Sequence, residues 1–192
     1  MVSDNGSNVR MLKESYPRYG FEPLSMLIES GWDALCITRL HPDYVRQKFG
    51  LGSTKCLWLS SRKGKDSLSP KSMSHLVREI KGHLSGEGNT VVFLDGMEYL
   101  LLWNAMSKVL STLKEIDSLM SKENGEMLMC IDPLTLEKKD LDRLDRFPHH
   151  SAYEVVEILS SRLPQQTAGG VPGSAGQRVG DLLRSGELHA AP

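Results

Sequence analysis

The chain carries almost no net charge: across 192 residues, 23 basic side chains nearly cancel 24 acidic ones, leaving -1 at neutral pH. That balance excludes the broad positive field that draws proteins to nucleic acid or to anionic membranes. Long apolar runs are absent too. Val91–Leu94 and Tyr99–Trp103 are separated by Asp95 and Glu98, far short of the roughly 20 apolar residues a bilayer helix requires. Met1–Gly6 has an acid before any base and no apolar stretch, so no secretory signal is expected and the predicted location is cytoplasmic. Cysteine is scarce. Cys36, Cys56 and Cys130 are odd in number and far apart, and each lies in an apolar run, so they read as buried thiols. There is no H-E-x-x-H pair and no G-x-S-x-G elbow, and no cysteine has a histidine close by in sequence. No complete catalytic constellation is visible, no cofactor is implied, and the chain does not read as an enzyme.

What is present is a succession of apolar runs punctuated by glycine and proline, with 40% hydrophobic residues to build a core. Residues 1–15 are polar and aperiodic and read as a mobile lead-in. A single α/β domain is expected over residues 16–163. Strands are predicted at Ala34–Thr38, Lys55–Ser60, Thr90–Asp95 and Met127–Ile131. Thr90–Asp95 is apolar without alternation, the pattern of a strand covered on both faces. Between them lie helical patterns. One starts with Pro23 as its first residue and closes at Gly31, one runs from Pro42 to Gly50, and one is capped by Ser69 with Pro70 at its first position. Asn104 is placed as the cap of a long helix ending at Asn124-Gly125, Leu141 and Leu144 mark a charged helix broken by Pro148, and Ser151 with Glu154 forms a capping box. Strands alternating with helices predict a three-layer fold, a largely parallel sheet with helices on both faces, RecA-like or Rossmann-like in plan. Residues 164–192 read as a flexible linker and tail in which Val179, Leu182, Leu183 and Leu188 offer a short amphipathic segment.

In such a sheet the carboxyl ends of the strands share one edge, where ligands of open α/β folds bind. The candidate ligand-binding residues there are Arg39, Arg62, Asp95, Glu98 and Asp132. Their competing role is structural, an ion-pair cluster such as Arg39 with Asp95. An apolar strand ending in Asp resembles the Mg²⁺-holding strand of P-loop ATPases, but the phosphate loop it needs is missing. Gly50–Lys55 has the letters in the wrong order and leads from helix into strand. Ser61–Lys65 is placed correctly but has Leu59 where the first glycine should be and Asp66 at the hydroxyl position, where an acid would repel phosphate. His149-His150 reads as a solvated pair rather than a metal site, and Tyr99 and Trp103 as core packing rather than a stacking platform.

Gly31…Ile37–Pro42…Val45-Arg46, Leu57–Ser60, Leu94–Leu100 and Ile131–Pro133, in that order, resemble an archaeal family of uncharacterised domains, domain-of-unknown-function family 835, over about Tyr16 to Arg146. The motif order is also similar to a RecA-like or circadian-clock-type ATPase core that has lost its phosphate loop. The resemblance implies a regulatory or signalling role without catalysis, exercised on another protein such as a sensory or histidine-kinase component, with homo-oligomerisation possible. The alternative is a nucleotide- or small-ligand-binding sensor.

Overall fold

In the computed structural model, residues 6–14, 18–84 and 88–162 are described. The expected tail at residues 164–192 lies outside them. Among the described residues six strands form one sheet: β1 (Val9–Lys13), β2 (Asp33–Thr38), β3 (Lys55–Leu59), β4 (Ser67–Leu68), β5 (Thr90–Asp95) and β6 (Gly125–Ile131). Their order is β1-β6-β5-β2-β3-β4, and every pairing is parallel. Helices are α1 (Arg18–Glu29), α2 (Pro42–Phe49), α3 (Met73–Leu84), α4 (Met97–Trp103), α5 (Met106–Lys122), α6 (Lys138–Leu144) and α7 (Ala152–Ser160).

Successive side chains on a strand point to opposite faces, and the core divides accordingly. Leu35, Ile37, Val92, Leu94, Met127 and Met129 pack with α3, α4, α5 and α6, whereas Cys36, Cys56, Val91, Phe93, Leu128 and Cys130 pack under α1, α2 and α7. The three-layer arrangement with helices on both faces is therefore observed. Val91–Leu94 are wholly buried, each side chain worth about 1.5–3 kcal/mol of burial, so the central strand is apolar on both sides.

Several local expectations change. Val9–Lys13 is an edge strand rather than a mobile lead-in, because Arg10, which interrupts its apolar run, is neutralised inside the fold. Arg10 Nε donates to Glu126 Oε2 at 3.0 Å, Arg10 Nη1 lies 3.1 Å from His150 Nε2, and Arg162 pairs with the other oxygen of Glu126. His150 is accordingly buried, and only His149 is exposed. Pro23 lies inside α1, not at its start; burial of Phe21, Leu24 and Leu27 around it outweighs the roughly 3 kcal/mol that an interior proline costs. Ser72, not Ser69, accepts from the amide of His75 at the start of α3. Asn104 ends α4 instead of capping α5, and its Nδ2 donates to Leu100 O and Pro70 O at 2.9 and 2.8 Å. The Ser151–Glu154 capping box and the left-handed Gly50 stop form as expected.

Both sheet edges are short or covered. β4 has two residues, while β1 is flanked by Pro148–His150, whose Pro148 O accepts from Met11 N at 2.9 Å and whose His150 N donates to Met11 O at 3.0 Å.

Candidate functional site

β2 leaves the sheet toward α2 on one face, and β5, its neighbour, leaves toward α4 on the other. The chain thus diverges at the carboxyl ends of β2 and β5, the topological position at which open α/β sheets present a crevice. Thr38 and Asp95 are buried at that point, and Arg39 and Gly96 follow them immediately.

Thr38 Oγ1 donates to Asp95 Oδ2 at 2.8 Å and accepts from Leu40 N at 3.1 Å. Arg39 Nη2 lies 3.7 Å from Asp95 Oδ1, and its Nη1 lies 2.5 Å from Glu98 Oε1. Burial pushes the Asp95 carboxyl above the usual carboxylate range, against the opposing pull of Thr38 and Arg39. Gly96 permits the arrangement. Its φ is 124°, and a Cβ there would meet Arg39 Cγ at 2.7 Å and Leu59 Cδ2 at 3.0 Å, so the arginine stem lies directly on the glycine.

The crevice is small, about 10 Å³, and opens to solvent; it is lined by Glu14, Arg39, Asp95, Glu98, Cys130, Ile131 and Asp132. Four of the five residues expected at the strand ends therefore meet here. Arg62 does not: it is exposed in the loop after β3 and is not among the lining residues. Asp132 has a second task, since its Oδ1 caps the 3₁₀ turn Pro133–Thr135 by accepting from Leu134 N at 2.9 Å. Glu14 is the lining residue that sequence reasoning missed, having been assigned to the lead-in. Its Oε2 is buried without a hydrogen-bond partner, and burial raises its pKa to about 7, opposed by a hydrogen bond from the Gly20 backbone and reinforced by Glu22. The run Val9–Leu12 that leads to it is interrupted by Arg10, which hides the strand in the sequence.

Chemically the crevice is acidic, with one cation whose guanidinium is already engaged by two carboxylates. Among the described residues no group of three or more His, Cys, Asp or Glu side chains is placed to hold a metal ion, and no helix is long and apolar enough to cross a membrane. Three large apolar side chains are exposed on the elements that lead away from the crevice. Leu134, in the turn after β6, is 87% exposed, and Leu102 and Trp103, at the end of α4, are 75% and 47% exposed. Trp103 was expected in the core; instead Lys71 Nζ sits 4.0 Å from its ring centroid, while Asn104 fastens the end of α4 to the loop after β4.

A family described as "Protein of unknown function (DUF835)" matches residues 14–147. No curated protein and no solved structure matches the chain, so the likeness to a RecA-like core rests on motif order alone.

Proposed function

The chain belongs to the family of proteins of unknown function DUF835, and from that premise we propose that it is a non-catalytic regulatory domain that recognises another protein through the carboxyl edge of its sheet. The observation that carries this reading is that the one cation of the crevice, Arg39, is already engaged by Asp95 and Glu98, with Thr38 also on Asp95, while Leu134 in the turn after β6 and Leu102 and Trp103 at the end of α4 are exposed and apolar. Apolar anchors beside a polar centre suit a protein interface. A signalling component such as a sensory or histidine-kinase protein is the proposed partner class, and an acidic crevice favours a partner that brings a basic side chain to it.

Leu134→Glu and Trp103→Glu test this reading. Both side chains are exposed, so melting should be unchanged, whereas retention of a specific partner from cell extract should be lost in both variants; retention equal to that of the native chain would sink it. The crevice's place at the chain's divergence point favours a second reading, a nucleotide- or small-ligand-binding sensor. Melting with Mg²⁺ and a panel of nucleotides separates the two, because a ligand at 100 times its dissociation constant adds about 2.7 kcal/mol.

A further inference from the structure

Cys36 and Cys56 are register partners on the adjacent parallel strands β2 and β3. Both belong to the core cluster under α1, α2 and α7, so their side chains lie on one face. Both are free thiols, 0% and 1% exposed. Paired strands run roughly 4.7–4.9 Å apart, inside the approximately 4.4–6.8 Å range of Cα separations that a disulfide spans. The two thiols are not equivalent. The two thiols interact across the strand pair, and Arg46 of α2, itself paired with Asp43 at 3.2 Å, lends positive charge to Cys56. The neighbouring thiol and the guanidinium hold the Cys56 thiol below its ordinary range against burial and Asp66, whereas the interaction with Cys56, together with burial, pushes Cys36 well above it. One sulfur is thus prepared as a nucleophile and its neighbour as the thiol that resolves.

α2 packs on the same face, with Pro42 and Val45 buried and Phe49 stacked on Phe21 at 4.1 Å. Local opening of this short helix is the route by which a small disulfide would reach the sulfurs. Cys130 is an internal contrast. It lies on the same face at β6, beyond β5, against Phe93 and α1 at Gly20, where burial pushes its thiol well above the ordinary range.

We propose that Cys36 and Cys56 form a redox-active dithiol, oxidised by low-molecular-weight disulfides to a reversible cross-strand disulfide between β2 and β3. The Cys56 thiolate attacks one sulfur of the small disulfide and expels the other as a thiolate, leaving a mixed disulfide on Cys56. Cys36 gives up its proton to the released thiolate and attacks the Cys56 sulfur, expelling the second small thiolate, which takes a proton from water. Two protein thiols lose two electrons and two protons, and one small disulfide becomes two thiols. Because Thr38 and Arg39 follow Cys36 by two and three positions, the bond forms next to the crevice.

The test exposes the native full chain to glutathione disulfide over a graded ratio to glutathione, followed by acid quenching, alkylation and peptide mass mapping. The expected product is a Cys36–Cys56 peptide pair 2 Da lighter than the dithiol, with Cys130 reduced. Arg46→Gln should slow its formation by about three- to tenfold, and Cys36→Ser should stop the reaction at a glutathione adduct on Cys56. Circular dichroism on the same samples establishes that the chain is folded throughout. A folded chain that yields no Cys36–Cys56 link, or one in which Cys130 reacts as fast as Cys56, overturns the proposal.

Discussion

Asp95 is held by three different forces, and a pair of substitutions distinguishes them. Burial disfavours its charge, whereas Thr38 and Arg39 supply the hydrogen bond and the cation that keep a carboxylate there tolerable. Asp95→Asn retains an acceptor for Thr38 and removes the buried charge, so it should change stability by less than about 1 kcal/mol. Asp95→Ala strands the buried Thr38 hydroxyl and should cost about 2–3 kcal/mol in urea unfolding. Glu14 provides the pH counterpart. Its folded-state pKa of about 7 exceeds the ordinary 4.5, so the fold prefers it protonated; that contribution is complete below about pH 4.5 and is lost as pH rises through 7. Glu14→Gln should therefore raise the melting temperature above pH 7 and leave it nearly unchanged below 4.5. The gain is about 1 kcal/mol after discounting for partial exposure, read from melts across pH 4–8. Arg39, Asp95, Glu98 and Asp132 were legible because strand ends must turn into polar loops. Glu14 was hidden because the neighbours that raise its pKa come together only in the folded chain.

Gly20 shows how an element is positioned by what it lacks. In a helix, alanine ordinarily outranks glycine by about 1 kcal/mol. Here a Cβ would fall 2.2 Å from Cys130 Sγ and 3.0 Å from the Phe93 ring, so α1 rests on the sheet through this one bare position. Overpacking costs about 1–3 kcal/mol and wins. Gly20→Ala should destabilise the protein, and pairing it with Cys130→Ala should recover part of the loss in a double-mutant cycle. Elements of this kind divide by where their cause resides. β5, α5 and the capped start of α7 were readable because their signals are local: an unbroken apolar run, a helical apolar stripe, and a serine three residues before a glutamate. β1 was unreadable because its Arg10 is compensated by Glu126 and His150, 116 and 140 positions away. α4 escaped notice because Tyr99–Trp103 has the composition of a core segment, although Leu102 and Trp103 face outward.

The family match covers residues 14–147, yet the folded unit extends beyond it at both ends. β1 pairs over its own whole length, Val9–Lys13, with Met127–Ile131 of β6, and α7 packs with α1 over the same face. Val9, Met11, Leu12, Val155, Val156 and Leu159 are all buried. At about 1.5–3 kcal/mol each they represent on the order of 10 kcal/mol, comparable to the total stability of a domain of this size. A chain trimmed to residues 14–147 should therefore fail to show cooperative unfolding by calorimetry, whereas one spanning residues 6–162 should melt as a single transition. A two-state melt of the shorter chain would show that β1 and α7 are accessories.

The segment Pro148–His150 has a wider consequence. By occupying both outward backbone groups of Met11, it removes the middle of the β1 edge as a template, and at the opposite margin β4 offers only two residues. Among the described residues the backbone at either border therefore offers little for strand addition. In the proposed protein-recognition role selectivity then falls to side chains, where a single substitution can redirect it while the sheet remains intact.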